Sequence, residues 1–593
     1  MLDKVGASSA DTIQDTPQIR AQRRALLSVY RIHLLGLCLS LTLIVLIGRI
    51  VYLQIPRHEF YRSQAESQYV SSSVEDFDRG SIYFSNRKGD LVPAANLKTL
   101  YTVALDTNAL KDATSTYELL VRYFPTINRD DFFTKAAKIN DPYEKIIDNI
   151  DESIITKLKT YNVKGLTFGK QHYRSYPQEA VGAKVLGFVG YTGTSRRGQY
   201  GIEKYYDDVL TRTSIESKTN FFAELFADIK SNSTSNVPKY EGNIILTIDA
   251  EAERFLHQTL IETKAEWKSD TIGGIIMDPN TGAIIAMDAL PSYDPNMYKD
   301  VVDQSAFSNP LISGVYEMGS IIKPLTMASA LDAGVVNDET TYMDTGFRDL
   351  NGYKVRNFDG KARGKTAIQT ILDKSLNVGI VFLVEQLGAK KFQEYFKKLG
   401  FGQETGIDLP NESKGLTRNL DSNVFVDSAT SGFGQGIAIT PIQTIKALAA
   451  LGNGGKMVDP HVVDSIIFEN GETKKIVANT GEQVFTKETS DHISRMLVHV
   501  VDTALKDGAY KIPHYSIAAK TGTAQMVKPG GGYYEDRYLH SFFGYFPAYQ
   551  PRYIIFLFHT YPKGAEYASA TLTDPFFKLV KFLLSYYEVP PDR

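Results

Sequence analysis

The longest apolar stretch of the chain lies close to its N-terminus. Residues 32–47 read IHLLGLCLSLTLIVLI, almost without charge, and apolar residues continue to residue 55. A helix of about twenty apolar residues spans a bilayer, and a run that is hydrophobic all round has no polar face for water. We therefore predict a transmembrane anchor at residues 32–55, behind a cytoplasmic tail at residues 1–31. The alternative is a buried core helix.

The charges around this stretch predict its orientation. Four arginines lie upstream of it: Arg20, Arg23, Arg24 and Arg31. The nearby strong bases downstream are Arg57 and Arg62, so the positive-inside rule places the N-terminus in the cytoplasm and the rest of the chain outside. The residues that follow, GRIVYLQIPRHEF, contain no Ala-x-Ala cleavage pattern. The sequence therefore predicts a permanent, single-pass anchor.

The pattern changes beyond the anchor. Residues 58–229 mix short β-type runs with helical patterns, and residues 230–243 (KSNSTSNVPKYEGN) have the composition of a linker. Next come a predicted strand at residues 244–248, a helix from about residue 250 to residue 264, and a hairpin of residues 272–277 with residues 283–287. Near the C-terminus we predict strands at residues 516–519, 541–546 and 553–559, then a helix at residues 575–587.

These elements predict an α+β protein with two exported domains, residues 56–240 and residues 241–593. We expect the first and last strands of the second domain to share one sheet. The final helix has many apolar side chains, for which packing on that sheet is the preferred interpretation and membrane attachment the alternative.

Composition excludes several classes of function. The chain has 65 Lys and Arg against 68 Asp and Glu, a net charge of −3, which lacks the basic excess that nucleic-acid binding requires. The single Cys38 forms no intramolecular disulfide and no cysteine-based zinc site. The ten histidines are scattered without a metal-binding spacing, so we expect neither a metal nor a cofactor.

Ser320 and Lys323 are the first candidates for chemistry. They lie in Glu-Met-Gly-Ser-Ile-Ile-Lys-Pro, residues 317–324, at the predicted start of a helix that ends near Gly334. Residues three apart share one helix face, so the lysine lies beside the serine hydroxyl. A partly desolvated lysine with a lowered pKa can take the proton from such a hydroxyl, and a helix N-terminus favours developing negative charge. Alone, Ser-x-x-Lys is a weak signal.

Two further motifs follow in the chain. Ser375 and Asn377 offer a hydroxyl and an amide in a helix-like stretch, and Lys520-Thr521-Gly522-Thr523 follows a predicted strand, where Gly522 would let a substrate backbone approach closely. Each has a purely structural alternative: Asn377 could bind local backbone, and the Lys-Thr-Gly-Thr run could be an ordinary strand and turn. Their order, Ser-x-x-Lys, Ser-x-Asn, Lys-Thr-Gly, resembles the signature of penicillin-binding proteins and β-lactamases.

The surrounding sequence resembles class B penicillin-binding proteins, the monofunctional peptidoglycan transpeptidases, over nearly the whole chain. The stretches that resemble the family are Gly48-Arg49, Leu53-Gln54, Arg79-Gly80-Ser81-Ile82, residues 198–203 (GQYGIE), residues 278–282 (DPNTG), Gly434-Gln435-Gly436 and Thr440-Pro441. After Ile82 the sequence departs from the family pattern, because residues 83–89 are longer than the usual Asp-Arg-x-Gly and lack its Asp.

The resemblance implies an architecture. It implies an anchor in the bacterial cytoplasmic membrane and an elongated mixed α/β pedestal, the dimerisation-like domain, at residues 56–240. It also implies a transpeptidase domain at residues 241–593, similar to serine β-lactamases, in which helices flank an antiparallel sheet. The implied partners are peptidoglycan stem peptides, β-lactams and a SEDS-family membrane glycosyltransferase, in cell division or cell-shape elongation.

The resemblance also implies roles for the site residues. Ser320 would attack the carbonyl between two terminal D-alanines and form an acyl-enzyme, with Lys323 as its base. Ser375 would relay a proton to the leaving amine, and Asn377 would hold the substrate amide. The terminal carboxylate would be bound by Lys520, Thr521 and Thr523, and the backbone N–H groups of Ser320 and Thr523 would form the oxyanion hole.

Two alternatives differ in function. A D,D-carboxypeptidase or β-lactamase of the same fold would pass the acyl group to water. A β-lactam sensor or wall scaffold would keep the fold without catalysis, but a sensor needs a cytoplasmic signalling domain, for which about 31 residues are too few. A scaffold would be expected to lack one of the three motifs, and all three are intact.

Overall fold

The structure is a computed structural model that describes residues 37, 40–49, 77–138, 141, 143–193, 195–212, 241–477 and 479–593. Residue 37 and residues 40–49 of the predicted anchor are helical, whereas the rest of residues 32–55, the predicted tail and residues 230–240 of the predicted linker lie outside the described residues. Among the described residues, no helix has the length and apolar character needed to cross a membrane.

Strands and helices alternate along the described chain. The strands are β1 (Ile82–Ser85), β2 (Val92–Leu105), β3 (Glu144–Ile150), β4 (Leu166–Ser175), β5 (Val189–Thr192), β6 (Ser195–Gly198), β7 (Gly242–Asp249), β8 (Thr271–Met277), β9 (Ile284–Leu290), β10 (Thr341–Asp344), β11 (Phe347–Leu350), β12 (Tyr353–Arg356), β13 (Gly364–Ala367), β14 (Lys456–Val458), β15 (Val463–Phe468), β16 (Thr473–Lys475), β17 (Thr480–Gln483), β18 (Ala518–Val527), β19 (Tyr533–Phe546) and β20 (Tyr553–Thr560).

The described helices lie in fewer than half of the intervals between these strands and after the last strand. The α-helices are α1 (Ala113–Tyr123), α2 (Arg129–Ala136), α3 (Glu152–Thr160), α4 (Ala183–Leu186), α5 (Gly201–Tyr205), α6 (Asp207–Leu210), α7 (Ala250–Trp267), α8 (Lys323–Asp332), α9 (Ile368–Asp373), α10 (Asn377–Leu387), α11 (Ala389–Lys398), α12 (Phe425–Ser431), α13 (Pro441–Ala449), α14 (Lys487–His499), α15 (Ala568–Thr571) and α16 (Thr573–Tyr586).

The described chain divides into two compact units, with boundaries inside β2 and β4. Residues 100–171 belong to the first unit, in which β2 pairs with β3 in antiparallel register. Leu120 of α1, Phe132 of α2 and Leu158 of α3 are buried together with Val103 of β2. The Asp112 side chain accepts hydrogen bonds from Thr114 and Ser115 N–H and so caps α1, which fixes where this helix begins.

The second unit, residues 77–99 with 172–593, has a five-stranded antiparallel sheet as its centre. The strand order is β18–β19–β20–β8–β9, so the two strands of the predicted hairpin share a sheet with the last strands of the domain. The first predicted strand, residues 244–248, does not: it is β7, which pairs with β1 and β15 in a second sheet. The predicted hairpin is confirmed: β8 and β9 are joined through Gly282, whose φ of 79° suits glycine. This order places β18 at an edge of the sheet.

Helices cover the sheet and bury its apolar side chains. The C-terminal helix α16 buries Phe576, Leu579, Val580 and Leu583, and the Phe576 ring stacks on Phe542 of β19 at 4.3 Å between centroids. The predicted packing of this helix on the sheet is therefore confirmed. Helix α8 is buried along residues 323–330 and contacts α10 and α14. It therefore holds its first residue, Lys323, inside the protein.

Two sequence predictions need correction near the motifs. The predicted strand at residues 516–519 begins at Ala518 and continues to Val527, because β18 pairs with β19 from Ala518 opposite Tyr545 to Val527 opposite Tyr533. Lys520-Thr521-Gly522-Thr523 therefore lies within the strand instead of after it. The helix-like stretch around Ser375 is two helices, α9 and α10, separated at residues 374–376.

A buried ion cluster stabilises residues 77–99 and 172–212 of the second unit. Glu203 is fully buried and accepts bonds from Arg79 Nε and Arg174 Nε, both at 2.6 Å, while Arg79 Nη1 also binds Asp207 at 2.7 Å. Burial alone would raise the pKa of Glu203, but the two guanidinium groups lower it. The carboxylate is therefore ionised and compensates two buried positive charges.

We predict that Glu203→Gln strongly destabilises the second unit. The substitution leaves two buried guanidinium groups without their carboxylate, which costs about 3–5 kcal/mol. Glu251→Gln is the matched control, because its pair with Arg254 is about half exposed and is worth about 1 kcal/mol or less. Thermal denaturation of the two variants measures the difference, and similar midpoints would contradict the prediction.

Candidate active site

Ser320 and Lys323 lie on consecutive turns of one segment. Ser320 is in a 3-10 turn, Gly319–Ile322, and α8 begins directly after it at Lys323. Helix α8 thus begins three residues later than the sequence predicts. Ser320 is half-buried and lines a cleft, whereas the Lys323 side chain is fully buried beneath it.

The Lys323 ammonium group is bound by the second motif. Its Nζ donates to the backbone oxygen of Ser375 at 2.6 Å and lies 3.2 Å from Ser375 Oγ. Burial lowers the pKa of Lys323 well below its ordinary value, and the positive charge of Lys520 lowers it further. Such a lysine loses its proton readily and can then accept one from a neighbouring hydroxyl.

The break between α9 and α10 positions Ser375 and Asn377. Ser375 has a φ of 54°, in the left-handed region that a non-glycine residue rarely adopts, so the chain turns here and the Ser375 carbonyl points to Lys323. Asn377 begins α10, and its amide nitrogen donates to Arg356 O at 2.9 Å. The side chains of Ser375 and Asn377 both line the cleft. Asn377 also binds backbone, which was the structural alternative to a role in substrate binding.

Lys520, Thr521 and Thr523 lie on the edge strand β18 and line the cleft. The Lys520 ammonium group is buried and donates to Thr521 O at 3.1 Å. Burial lowers the pKa of Lys520 to about 8, although the carboxylate of Asp373 opposes this effect. An edge strand beside a cleft can pair with an extended ligand, which is a common mode of peptide recognition.

Glycines allow the serine turn to lie directly against β18. A Cβ on Gly522 would lie 2.8 Å from the backbone oxygen of Met318, and a Cβ on Gly434 would lie 2.3 Å from Gly319 O. Gly319 N in turn donates to Gly434 O at 3.1 Å. The sequence analysis assigned Gly522 to a close substrate approach, whereas in the structure the close neighbour is the chain's own turn.

The three motifs meet around one cleft of about 550 Å³. It is lined by six of the candidate residues, Ser320, Ser375, Asn377, Lys520, Thr521 and Thr523, whereas Lys323 and Gly522 lie behind its wall. Its lining also includes Gln435, from the Gly434-Gln435-Gly436 stretch that resembles the family, and residues that the sequence analysis missed: Phe358, Asp373, Phe433, Glu566 and Tyr567. Within the part of the chain that the structure describes, no cluster of His, Cys, Asp and Glu could hold a metal ion.

Glu317 is a further residue that sequence reasoning missed. Its carboxylate accepts bonds from Gly436 N at 3.0 Å and from the Tyr533 hydroxyl at 3.0 Å, and burial raises its pKa. These contacts join the segment before Ser320 to the Gly434-Gln435-Gly436 loop and to the start of β19. Its position three residues before Ser320 was the only signal in the sequence.

Comparison with known proteins defines the class to which this fold and cleft belong. Residues 272–580 match the family model of the penicillin binding protein transpeptidase domain, and residues 76–243 match that of the penicillin-binding protein dimerisation domain. Penicillin binding protein 2X from Streptococcus thermophilus has a similar fold, with a TM-score of 0.72 at 20% identity over 86% of this chain and 80% of that one.

Sequence comparison with curated proteins identifies the family within this class. Stage V sporulation protein D of Bacillus subtilis is 30% identical over 90% of this chain and 83% of that protein. Peptidoglycan D,D-transpeptidase FtsI of Escherichia coli K12 is 26% identical over 97% of this chain and 94% of that protein. The chain belongs to the class B penicillin-binding proteins, a family of transpeptidases, as the resemblance of its motifs predicted.

We predict that Gly522→Ala disrupts the cleft. The added methyl group meets backbone on the Met318 side, so the turn and the strand must separate at a cost of about 1–3 kcal/mol. Gly169→Ala is the control, since its Cβ would have its nearest neighbour at 4.0 Å. Labelling by a fluorescent penicillin should be slowed in the first variant and unchanged in the second, and equal labelling rates would contradict the prediction.

Proposed function

We propose that this chain cross-links peptidoglycan stem peptides as a D,D-transpeptidase that works through an acyl-enzyme on Ser320. One observation carries most of the proposal: Lys323, fully buried with a lowered pKa, lies one turn beyond a cleft-lining serine and is bound to the Ser375 segment. A lysine in this state can act as a general base at neutral pH. The relatives named as peptidoglycan D,D-transpeptidases support the same reaction.

The first half-reaction releases one D-alanine. Lys323, as a neutral amine, takes the proton of the Ser320 hydroxyl while Oγ attacks the carbonyl between the two terminal D-alanines. Ser375 relays a proton to the departing amine, so the peptide bond breaks and an ester on Ser320 forms. The backbone N–H groups of Ser320 and Thr523 stabilise the negative charge on the carbonyl oxygen.

The second half-reaction forms the cross-link. An amine of a neighbouring stem peptide attacks the ester carbonyl and loses a proton, and Ser320 Oγ regains one as the new amide forms. No bond is oxidised or reduced in either step, so the reaction needs no cofactor. A β-lactam that enters the same cleft acylates Ser320 in the same way. It releases no leaving group, because the nitrogen of the opened ring stays attached to the acyl group.

Residues of β18 and α10 hold the substrate. Protonated Lys520 and the hydroxyl groups of Thr521 and Thr523 bind the terminal carboxylate, while the Asn377 side chain binds the stem-peptide amide. The Thr523 hydroxyl accepts a bond from Ala568 N at 3.0 Å, which leaves its own proton free to be donated to that carboxylate. This contact supports the binding role of Thr523.

Location and partners complete the proposal. A single-pass anchor at residues 32–55 holds the enzyme in the bacterial cytoplasmic membrane, with residues 1–31 in the cytoplasm. Residues 56–240 form the pedestal, and residues 241–593 form the transpeptidase domain. The anchor and pedestal bind a SEDS-family glycosyltransferase, and β-lactams inhibit the enzyme, in line with solved relatives complexed with aztreonam and ampicillin.

We expect Ser320→Ala to abolish covalent labelling by a fluorescent penicillin, because the acyl group then has no oxygen to form its ester. Ser569→Ala is the matched control, since Ser569 lines the same cleft and its loss should leave labelling intact. In-gel fluorescence measures both variants. Undiminished labelling of Ser320→Ala would exclude Ser320 as the nucleophile.

The lifetime of the penicilloyl adduct distinguishes a transpeptidase from an enzyme that passes the acyl group to water. A transpeptidase should hold the penicilloyl ester for many minutes, whereas a β-lactamase or a carboxypeptidase that deacylates readily should release it. Intact-protein mass spectrometry after removal of free penicillin follows the adduct. Turnover within seconds would refute the transpeptidase assignment.

We predict that acylation by a carboxylate-bearing penicillin falls as pH rises through about 8, because Lys520 then loses the charge that binds the carboxylate. Burial and the positive charge of Lys520 lower the pKa of Lys323 well below its ordinary value. The second-order acylation rate, measured against pH, should therefore show an alkaline limb near 8.

Lys520→Arg provides the control for this assignment. A guanidinium group stays protonated at every pH in the measurement, so the alkaline limb should disappear even if the rate itself falls. An unchanged limb in this variant would show that another group titrates near pH 8.

A further inference from the structure

Two buried histidines lie next to the Lys-Thr-Gly-Thr strand, outside the three motifs. His540 on β19 is directly opposite Thr523 of β18 on one side and His559 of β20 on the other. Both histidines are fully buried, and their ring centroids lie 5.3 Å apart. A pair of imidazole rings in a protein core must have hydrogen-bond partners for its nitrogens, because unpaired polar groups are costly there.

A hydrogen-bonded chain satisfies all four ring nitrogens. Ser269 Oγ lies 2.7 Å from His559 Nδ1, and His559 Nε2 lies 2.9 Å from Thr571 Oγ1. Thr571 Oγ1 lies 2.9 Å from His540 Nδ1, and His540 Nε2 lies 3.0 Å from the backbone oxygen of Glu566. The chain therefore runs from Ser269 through both rings to Glu566.

The donors and acceptors of this chain can point in only one direction. A carbonyl oxygen only accepts, so His540 must hold its proton on Nε2 and accept at Nδ1 from Thr571. Thr571 gives its single proton to His540 Nδ1 at 2.9 Å in preference to Ala568 O at 3.4 Å. Its oxygen therefore accepts from His559 Nε2, and His559 Nδ1 accepts from Ser269. Every group is satisfied when both rings are neutral, in agreement with burial, which lowers the pKa of His540 to about 4.

The end of this chain lies at the cleft. Glu566 and the next residue, Tyr567, line the cleft, and Ala568 N donates to the Thr523 hydroxyl at 3.0 Å. The Tyr567 ring meets the Phe358 ring edge to face, with centroids 5.8 Å apart, although both side chains are largely exposed. The hydrogen bond from His540 thus holds the start of a short segment, Glu566–Ala568, in which Glu566 and Tyr567 are exposed and Ala568 is buried.

We propose that His540 is a positioning residue for substrate binding: through Nε2–H it holds the Glu566 carbonyl, and so keeps segment Glu566–Ala568 in the place where it lines the cleft and binds Thr523. This inference rests on the proposed function. It assigns no contact between His540 and substrate. His559, one step further from the cleft, has a structural role only, because its own partners are Ser269 and Thr571.

The two histidines are a matched pair for the test. They are equally buried and belong to the same hydrogen-bonded chain, so His540→Leu and His559→Leu should lower the thermal midpoint by similar amounts. The purified full-length variants are compared through kcat and KM for a thioester analogue of the acyl donor. Loss of one buried hydrogen bond at the segment should raise KM about tenfold in His540→Leu, with kcat changed less than about twofold.

His540→Gln tests rescue, because the glutamine amide N–H can donate from near the position of imidazole Nε2. It should recover most of the KM lost in His540→Leu. An equal rise of KM in the two leucine variants, or a fall of kcat without a rise of KM, would overturn the inference. Failure of Ser320→Ala to abolish labelling would instead overturn the proposed function, so the two failures are distinguishable.

A measurement on the unmutated protein applies even if a variant fails to fold. Nitrogen-15 spectra of histidine-labelled protein should show His540 as the neutral Nε2–H tautomer throughout the range from about pH 5 to about pH 8, far above its titration near 4. An Nδ1–H tautomer would mean that His540 does not donate to Glu566, and the inference would be wrong.

Discussion

Burial of one ammonium group is the constraint on which this active site depends. Lys323 is the first residue of α8 and is completely enclosed, so its charged form has lost its hydration, and the partner that the described residues offer its ammonium group is Ser375. That partner exists only because the chain breaks its helix and takes a left-handed turn at Ser375. Two segments far apart in sequence, the start of α8 and the break before α10, are therefore held together by the need to satisfy one lysine.

The second buried lysine gives the site its electrostatic character. Lys520 is also enclosed, and its charge further lowers the pKa of Lys323, so the two amines favour different protonation states. The carboxylate of Asp373 favours the charged form of Lys520, whereas burial and the charge of Lys520 both disfavour the charged form of Lys323. This difference in surroundings allows Lys323 to accept a proton while Lys520 remains a cation that attracts the carboxylate end of a peptide.

The sequence predicted the hairpin of β8 and β9 and the strands near the C-terminus, because apolar alternation is a local signal. It also picked out six residues that the structure brings to one cleft, because each motif is a short local pattern. It did not predict the turn at Ser375, since residues 366–388 have helix-forming composition and only the tertiary demand of Lys323 favours the break. Glu317, Glu566 and Tyr567 were missed for a similar reason. Their roles come from neighbours such as Gly436, His540 and Phe358, which are brought close only by folding.

The order of strands in the central sheet has a consequence for biosynthesis. β20 lies between β8 and β19, although almost 300 residues of chain separate β8 from β20. Strand β8 of this hairpin therefore lacks its second neighbouring strand until β20, in the last tenth of the chain, has been synthesised. The serine turn lies against β18, which joins the rest of the sheet through β19 and β20, so the cleft is complete only after β20 has been synthesised.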